Sequence, residues 1–248
     1  MKNPDQWQPS RFELCGGRLR ITRNDRKLAV SSRLTAQLAM ECFNRAIPQY
    51  CRGRLLDLGC GTVPYYGYYK QFVDEVVCVD WPLSAHGGQH IDHYCDLTQP
   101  LPLEDAAFDT IILSSVLEHI PQPENLWREI SRVLRPGGVL LLNVPFLYWL
   151  HEVPHDYYRY TEYALKRFAE QSGFDVLELE ALGGAPYVVG DICAKSAALA
   201  RYVGKPLALL VQGCCGAFVR IPPGRWLCNR TKRQFPSGYF LVARRRPQ

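Results

Sequence analysis

The sequence lacks the features that define several specialised classes of protein. Its ten cysteines form no C-x-x-C pair, which does not support a zinc ribbon. It contains no repeats, and a composition of 47% hydrophobic and 21% charged residues excludes disorder, collagen and coiled coil. The amino-terminal residues show no apolar segment typical of a secretory signal. The longest uncharged apolar stretch, about fourteen residues after Lys205, is shorter than the roughly twenty that a transmembrane helix needs. We therefore expect a cytoplasmic globular protein with reduced cysteines.

The charge of the chain is unevenly distributed. The 248 residues contain 29 Lys and Arg and 24 Asp and Glu, which gives a net charge of +5. From residue 181 onwards, however, the only acidic residue is Asp191, so the last third of the chain is strongly basic. This asymmetry favours contact with an anionic partner or surface, although a solvated basic face would give the same pattern.

Apolar segments with strand character alternate with helical segments along most of the chain. Strands are predicted at 54–58, 76–79, 90–95, 108–113, 139–144, 174–181 and 238–244, and helices at 31–47, 125–134 and 161–171. The helix at 31–47 is expected to end before Pro48, and the helix at 161–171 to be capped by Thr161. Such alternation predicts a parallel sheet with helices on both faces.

The segment RLLDLGCG, residues 54–61, carries the strongest functional signal. Gly59 and Gly61 follow the first buried strand, where glycines allow the backbone to approach a ligand closely. Asp80 ends the second strand, and a carboxylate there can accept both hydroxyls of a ribose. Taken alone, this pattern suits a nicotinamide-dependent oxidoreductase as well as other nucleoside-binding enzymes.

Together with the residues that follow, this segment resembles the class I S-adenosylmethionine-dependent methyltransferases. DLGCG is similar to their first motif and VVCVD to their second, and the segment from CDLTQPLPLEDAAFDTIIL through LRPGGVLLLNVP resembles the rest of the domain in order. The resemblance covers about residues 51–181, and the final GYFLVARR is similar to the antiparallel strand of that family. It implies a Rossmann-like α/β fold with a seven-stranded, mostly parallel sheet, an antiparallel last strand and S-adenosyl-L-methionine as cofactor.

The resemblance also implies a division of the chain into four parts. Residues 1–50 form an amino-terminal extension and cap helix, 51–182 the cofactor-binding domain, 183–236 a helical insertion, and 237–248 the final strand and basic tail of the same domain. We expect the insertion to precede the last strand and to serve as a lid, a dimer contact or a membrane-surface element.

A set of cofactor-binding residues at the strand ends follows from the same resemblance. Gly59 and Gly61 would line the methionine part of the cofactor, with Asp57 near its ammonium group, while Asp80 would hold the ribose. The further candidates are Cys60 and Trp81, Asp96 and Leu97 beside the adenine, and Ser114 and Ser115 at the floor of the pocket. Val63-Pro64 stands where many relatives have a third glycine, which leaves the local shape of the loop open.

Candidate catalytic residues cluster after the fifth strand, where they can face the donor methyl group. If the acceptor is a hydroxyl, a base must remove its proton, and histidine suits that role near neutral pH. We predict His155 as the base ahead of His151, with Asp156 as its charge partner and Arg159 as a further catalytic candidate. Asp156 and Arg159 could equally form a structural salt bridge at the start of the next helix.

The sequence predicts no metal site. HEVPH, residues 151–155, matches the H-E-x-x-H pattern of zinc peptidases, but that pattern requires both histidines on one continuous helix. Pro154 would interrupt such a helix. His119 in LEHIP is predicted to be a packing or capping histidine.

The sequence limits the methyl acceptor only to a broad chemical class. The fourth strand is followed by SSVLEH instead of the Asn/Asp-Pro-Pro-aromatic element of base-amine methyltransferases, so a nucleic-acid substrate is not expected.

Apolar helical stretches flanked by cations in residues 187–235 fit a lid, a homodimer contact or a peripheral contact with the inner face of a membrane. PHDYYRYT followed by this insertion loosely resembles methyltransferase-domain proteins of bacterial glycan and lipid-linked saccharide pathways. We expect a hydroxyl of a small molecule, a saccharide or a lipid-linked intermediate, and a cofactor-binding module without catalysis remains a third class beside the oxidoreductase.

Overall fold

The computed structural model describes residues 1–83 and 88–247, and within them a seven-stranded sheet follows an amino-terminal hairpin. The hairpin strands are β1 (Phe12–Cys15) and β2 (Arg18–Ile21). The sheet strands are β3 (Arg54–Leu58), β4 (Glu75–Asp80), β5 (His93–Tyr94), β6 (Phe108–Ser114), β7 (Leu134–Pro145), β8 (Phe174–Gly183) and β9 (Pro236–Arg245). The helices are α1 (Arg33–Tyr50), α2 (Tyr66–Tyr69), α3 (Pro123–Val133), α4 (Glu162–Gln171), α5 (Ala185–Ala198), α6 (Gly204–Phe218) and α7 (Pro222–Thr231).

The strand order in the sheet is β5-β4-β3-β6-β7-β9-β8. The pairs from β5 to β7 are all parallel, whereas β9 lies between β7 and β8 and runs antiparallel to both. The predicted Rossmann-like α/β sheet with an antiparallel last strand is therefore confirmed. Its strand order reverses between β3 and β6, the place at which open sheets of this type bind their ligands.

Both faces of the sheet are covered by helices, as predicted. Because successive residues of a strand point to opposite faces, Leu55 belongs to the core cluster that contains Phe43 of α1, and Leu56 to the cluster that contains Trp127 of α3. All four side chains are fully buried. The near-continuous apolar strands of the sequence are explained by this burial on both sides.

The prediction that α1 ends before Pro48 is wrong, since the helix continues to Tyr50 with the proline inside it. A proline cannot donate to the carbonyl four residues earlier. That carbonyl, Asn44 O, instead accepts a hydrogen bond from the Tyr68 hydroxyl at 3.2 Å, and Cys51 N donates to Ile47 O beyond the proline. A tertiary contact thus replaces the missing helical bond.

Other boundaries differ from the prediction in smaller ways. The strand expected over 90–95 is limited to His93–Tyr94, and α3 begins at Pro123, a position that proline favours because its missing N–H would be unpaired there. The strand β7 already begins at Leu134, before the expected turn. Thr161 caps α4 as predicted, since its hydroxyl oxygen accepts a hydrogen bond from Ala164 N.

Three helices, α5 to α7, connect β8 to β9, where the sequence indicated two apolar helical stretches. The buried Gln212 of α6 joins them to the start of α1, because its side chain accepts from Leu34 N at 3.0 Å and donates to Ser31 O at 2.8 Å. Among the described residues, none of the helices alone has the length and apolarity to cross a membrane. The pair α6 and α7, bent by 92°, passes that test only when taken together.

Candidate active site

A cavity of about 870 Å³ opens at the carboxyl ends of the parallel strands. All of the residues predicted to bind the cofactor line it, although they come from the ends of four different strands. They are Asp57, Gly59, Cys60, Gly61, Asp80, Trp81, Asp96, Leu97, Ser114 and Ser115. Parallel strands bring these separate segments to one edge of the sheet.

The backbone after β3 requires glycine. Gly59 has φ +72°, and a Cβ atom there would lie 2.4 Å from Cγ2 of Val116. The amide N–H groups of Gly59 and Cys60 both donate to Val79 O, at 2.8 and 3.0 Å, which ties the loop to the neighbouring strand β4. The loop therefore presents bare backbone to the cavity, as a ligand that approaches closely would need.

Val63, where many relatives have a third glycine, also adopts a left-handed conformation, with φ +50°. This conformation is strained for a β-branched residue. Its side chain is fully buried, and its carbonyl oxygen accepts a hydrogen bond from Trp7 Nε1 at 3.0 Å. Packing and this contact therefore hold the chain in a path that a glycine would follow without strain.

Two buried carboxyl groups flank the glycine loop. Asp80 accepts hydrogen bonds from Gly61 N at 2.6 Å and from Trp81 N at 2.7 Å, so its orientation is fixed between two loops. Asp57 accepts a hydrogen bond from the Tyr69 hydroxyl at 2.9 Å. Burial raises the pKa of Asp57 to about 7, against the opposing effect of the Tyr69 hydrogen bond and with a further contribution from Asp80.

Ser114 and Ser115 share an acceptor that the sequence did not single out. Both hydroxyls lie within hydrogen-bond distance of Asn143 Oδ1, at 3.4 and 3.2 Å, and Asn143 lines the cavity from β7. Asp96 accepts a hydrogen bond from Thr98 N in a local turn, while Leu97 is buried in the cavity wall. The pair of serines is thus held by its neighbour strand.

These residues fit the cofactor that the sequence implies. Gly59 leaves room where a side chain would collide, and the acidic groups of Asp57 and Asp80 suit an ammonium group and a ribose diol. Leu97 offers an apolar wall for an aromatic base. The individual roles remain predictions, but the set lies together in one cavity of sufficient size.

The predicted catalytic residues divide into two groups. His151 and His155 line the cavity, whereas Asp156 and Arg159 are not among its described lining residues. His155 is exposed, with its ring edge-on to Trp81 at 5.2 Å between centroids and its Nδ1 3.1 Å from the Tyr157 hydroxyl.

Asp156 does not pair with His155, contrary to the sequence-based expectation. Arg159 donates to both of its carboxylate oxygens, at 2.6 and 2.7 Å, and its Oδ2 accepts from the backbone of His151 at 3.0 Å. The structural salt bridge considered from the sequence is therefore present. The Arg159 hydrogen bond lowers the pKa of Asp156 well below its usual range, so Asp156 stays ionised and positions His151.

Glu118 is a cavity-end residue that the sequence pattern did not single out, and its neighbour His119 has more than the predicted packing role. They lie in a single turn, Leu117–His119, just after β6, and His119 lines the cavity instead of serving only as a packing residue. Glu118 is fully buried, and neither carboxylate oxygen accepts a hydrogen bond from another described residue. Burial raises the pKa of Glu118 to about 8. The sequence signal that could have identified this pair is the presence of two neighbouring ionisable residues shortly after the central parallel strand β6.

Residues 151–155 form no helix, so the zinc-peptidase interpretation of HEVPH fails as predicted. His151 instead lies beside the turn after β6, with its ring centroid 4.9 Å from that of His119. The loop after β7 therefore joins the loop after β6 at one end of the cavity.

This sheet, with a glycine-lined cavity flanked by carboxylates at its switch point, defines an α/β enzyme that binds a nucleoside cofactor. The family model described as a methyltransferase domain matches residues 56–142. A ubiquinone biosynthesis O-methyltransferase from Chromobacterium violaceum is 31% identical over 160 residues, which cover 54% of this chain and 69% of that protein. The same kind of enzyme from Xanthomonas euvesicatoria is 31% identical but is covered over only 42% of its length.

Solved structures show the same fold at lower identity. The cyclase SpnF has a TM-score of 0.56 at 21% identity, with 97% of this chain and 88% of that chain covered. The phosphoethanolamine N-methyltransferase 2 of Haemonchus contortus, solved with S-adenosylhomocysteine, has a TM-score of 0.52 at 16% identity, with 90% and 59% covered. The chain belongs to the class I S-adenosylmethionine-dependent methyltransferases. This membership decides against the oxidoreductase and the non-catalytic module considered from the sequence.

Gly59→Ala is expected to weaken binding of S-adenosylhomocysteine by at least ~10-fold, because the added Cβ collides with Val116 and displaces the loop. Gly137→Ala is the matched control: Gly137 also has a positive φ, +80°, but no atom lies within 4 Å of the Cβ position. It should cost about 1 kcal/mol of stability and leave affinity unchanged. Calorimetric titration of both variants checks this, and equal affinities would remove the loop from the cofactor site.

Asp57→Asn is expected to reduce the pH dependence of stability in the ligand-free protein. The pKa of Asp57 is about 7 in the folded state and near 3.8 in the unfolded state, so stability falls as the pH rises between these values. Between pH 5 and 7 the loss is on the order of 2 kcal/mol, or roughly 5 °C in Tm. Thermal melts at pH 5 and 8 should show a smaller decrease for the variant. An identical decrease in both proteins would contradict the assignment.

Proposed function

We propose that this methyltransferase methylates a hydroxyl oxygen of a lipid-linked acceptor, such as a lipid-linked saccharide, while resting on the inner face of a membrane. The observation that carries the proposal is an exposed apolar surface on α5–α7, flanked by cations and adjoining the acceptor end of the cavity. The relative from Chromobacterium violaceum is named an O-methyltransferase, which supports oxygen as the methylated atom. An acceptor that stays in a bilayer requires an enzyme that reaches the bilayer surface.

The α5–α7 surface is unusually apolar for a solvated face. Leu199 is 77% exposed and Tyr202 83% exposed, at the connection between α5 and α6. The exposed apolar side chains of the surface are Val189, Ile192, Leu199, Tyr202, Val203, Leu207, Leu209, Leu210, Phe218, Ile221 and Trp226. Single exposed apolar residues are common, but a concentration of them marks an interaction surface.

The charge around this surface matches an anionic membrane. Its only acidic residue, Asp191, is buried and paired with Lys195 inside the fold. The other charged side chains of the three helices and their connections are all basic: Arg201, Lys205, Arg220, Arg225, Arg230, Lys232 and Arg233. Cations around an apolar helical face are typical of segments that lie on anionic lipid surfaces.

The surface adjoins the cavity through α5. Lys195 Nζ lies 3.3 Å from the ring centroid of Tyr148, and Tyr148 lines the cavity. None of the described residues of α5–α7 lines the cavity itself. The helices therefore border the acceptor end, where a lipid-borne group would enter, and do not cover it.

Proton removal is the chemical task of the residues at this end. S-adenosylmethionine, when bound, supplies an electrophilic methyl carbon whose bond to sulfur breaks as the acceptor oxygen attaches, with the electron pair left on sulfur. The chain must orient the acceptor and accept its proton. His155 remains the predicted base. Burial lowers the pKa of His151, which keeps that imidazole neutral near physiological pH.

His155→Ala is expected to lower the rate of methyl transfer by about 100-fold without changing cofactor affinity, since a general base contributes on this scale. Methyl-labelled product should be extracted with organic solvent from reactions with bacterial lipid-linked saccharides. His93→Ala is the control, because His93 is exposed on β5 and is not among the described cavity-lining residues. Label found only in water-soluble products would contradict the lipid-linked acceptor, and a wild-type rate in His155→Ala would remove the base.

The triple variant Leu199→Glu, Val203→Glu, Leu210→Glu is expected to lose at least ~10-fold in affinity for phosphatidylglycerol vesicles. The substitutions replace apolar contacts with the lipid by negative charges, which the anionic lipid repels. Tyr163→Glu is the control, since Tyr163 is 77% exposed but lies on α4. Vesicle sedimentation, with phosphatidylcholine vesicles for comparison, measures the effect. Failure of the wild type to sediment, or a wild-type dimer that the triple substitution dissociates, would contradict the membrane contact.

A further inference from the structure

We propose that Glu118, His119 and His151 form a binding site for a divalent transition-metal ion at the acceptor end of the cavity. One ligand atom from each residue lies within 4.8 Å of the other two. The metal binding itself is independent of the proposed function, whereas the ion's role with the acceptor oxygen rests on it. The sequence predicted no metal site because His151 stands more than thirty positions after Glu118 and His119, and the only recognisable pattern was the interrupted HEVPH.

The spacing of the three side chains leaves room for an ion between them. Oε1 of Glu118 lies 3.7 Å from Nε2 of His119 and 3.8 Å from Nε2 of His151. Both distances are too long for hydrogen bonds. An ion at the centre of such a triangle, whose third side is at most 4.8 Å, lies about 2.2 to 2.4 Å from each donor. That is within a few tenths of an ångström of ordinary metal–ligand distances.

The carboxylate of Glu118 is the second, independent observation. Its side chain is completely buried, and neither oxygen accepts a hydrogen bond from another described residue. A buried polar group without a partner is costly, and an isolated buried charge costs more. Two imidazoles face this carboxylate without bonding to it. A cation held by all three groups removes that cost.

The second ring nitrogen of each histidine, Nδ1, faces an oxygen atom outside the cluster. Nδ1 of His119 lies 2.8 Å from His155 O, a carbonyl that can only accept, so this nitrogen carries the proton and Nε2 keeps its lone pair. Nδ1 of His151 lies 3.3 Å from Oδ2 of Asp156, close to it but without a hydrogen bond, so only His119 has this nitrogen fully paired. A carboxylate or carbonyl behind the ring is the usual second partner of a metal-binding histidine.

The salt bridge with Arg159 holds the Asp156 carboxylate in place beside His151. Arg159 binds both carboxylate oxygens, and the backbone of His151 donates to one of them. The four predicted catalytic residues therefore do not act as one base system. Asp156 and Arg159 are positioning residues for His151, while the His155 side chain points elsewhere, towards Trp81 and Tyr157.

The ligand types point to a first-row transition ion. Imidazole nitrogen favours zinc, cobalt and iron, and a carboxylate also accepts manganese, whereas magnesium and calcium prefer oxygen alone. Three protein ligands leave further coordination positions open. Because His119 and His151 line the cavity, these positions are reached from the acceptor side. Glu152, with Oε2 3.9 Å from His119 Nε2, borders the same space.

An ion at this point would bind the acceptor oxygen and lower the pKa of its hydroxyl. The O–H bond would break, the proton would pass to water, and the oxygen would keep the electron pair with which it attacks the methyl carbon. The cluster thus supplies the activation that a lone histidine would otherwise have to provide.

The direct test is cobalt and manganese titration of the untagged full chain after dialysis against a chelator. Calorimetry should show one site per chain, and the visible spectrum of bound Co²⁺ should report nitrogen and oxygen coordination. Glu118→Gln and His151→Ala are expected to weaken binding by at least ~100-fold. His155→Ala is the matched control and should bind the ion as the wild type does, because only its backbone oxygen contacts the cluster.

Unchanged S-adenosylhomocysteine binding in each variant shows that the protein is folded. Absence of cobalt, manganese and zinc binding by the wild type would overturn the metal site, as would equal binding by wild type and Glu118→Gln. Metal binding without methylation of any hydroxyl acceptor would contradict the proposed function and leave the site intact. Methylation that proceeds at the full rate in a metal-free, chelated enzyme would overturn the ion's role at the acceptor.

Discussion

The hydrogen bonds to the Asp80 carboxylate are the contacts on which the rest of the site depends. One side chain at the end of β4 accepts from Gly61 N, in the loop after β3, and from its own neighbour Trp81 N. Two short hydrogen bonds to the two oxygens of one carboxyl group fix its orientation. Gly59 and Gly61 offer no side chains to hold the first loop, so its height above the sheet is set by this carboxylate and by the carbonyl of Val79. The parallel sheet brings the ends of β3 and β4 together, and the hydrogen bonds to Asp80 join the loops that follow these strands into one wall of the cavity.

The burial of three carboxyl groups at one edge of the sheet is the main electrostatic cost of this arrangement. Asp57, Asp80 and Glu118 are all less than a tenth exposed, and burial raises the pKa of Asp57 and of Glu118 towards neutrality. Among the described residues, neither Asp57 nor Glu118 forms a salt bridge with a lysine or an arginine. Arg159 acts on Glu118 only from a distance, where it lowers the pKa of that carboxyl group. Such strain persists in folded proteins mainly where a ligand relieves it. Asp57 faces the place expected for a cationic cofactor, and Glu118 faces two histidines that lack direct bonds to it. The two ends of the cavity therefore share one physical feature, which is a buried carboxyl group whose pKa is raised by its surroundings.

The meeting of the strand-end residues in one cavity could be predicted from the sequence, and the cluster around Glu118 could not. The glycines and acids that end β3 and β4 lie next to apolar strands, so local pattern and parallel topology suffice to bring them together. The path of α1 past Pro48 depends on Tyr68, twenty positions further along the chain, and no local rule contains that contact. The partner of Asp156 was likewise decided by the fold of an irregular loop, which turns His151 towards it and His155 away. Glu118 could be recognised only once its burial was known, since a glutamate after a strand is ordinarily solvated.

The loop after β7 connects the functional elements, because hydrogen bonds join it both to itself and to the neighbouring segments of the chain. Phe146 N donates to Ser237 O at its start, and Tyr157 N donates to Glu118 O near its end. Between them, Tyr148 packs under the buried ammonium of Lys195 on α5. The loop is therefore fixed on one side to the turn that carries Glu118 and on the other to the helices of the α5–α7 surface. A loop without regular structure takes its shape from such anchors. The apolar helices and the histidine cluster therefore both contact the same loop, the helices through Lys195 and the cluster through the turn that carries Glu118.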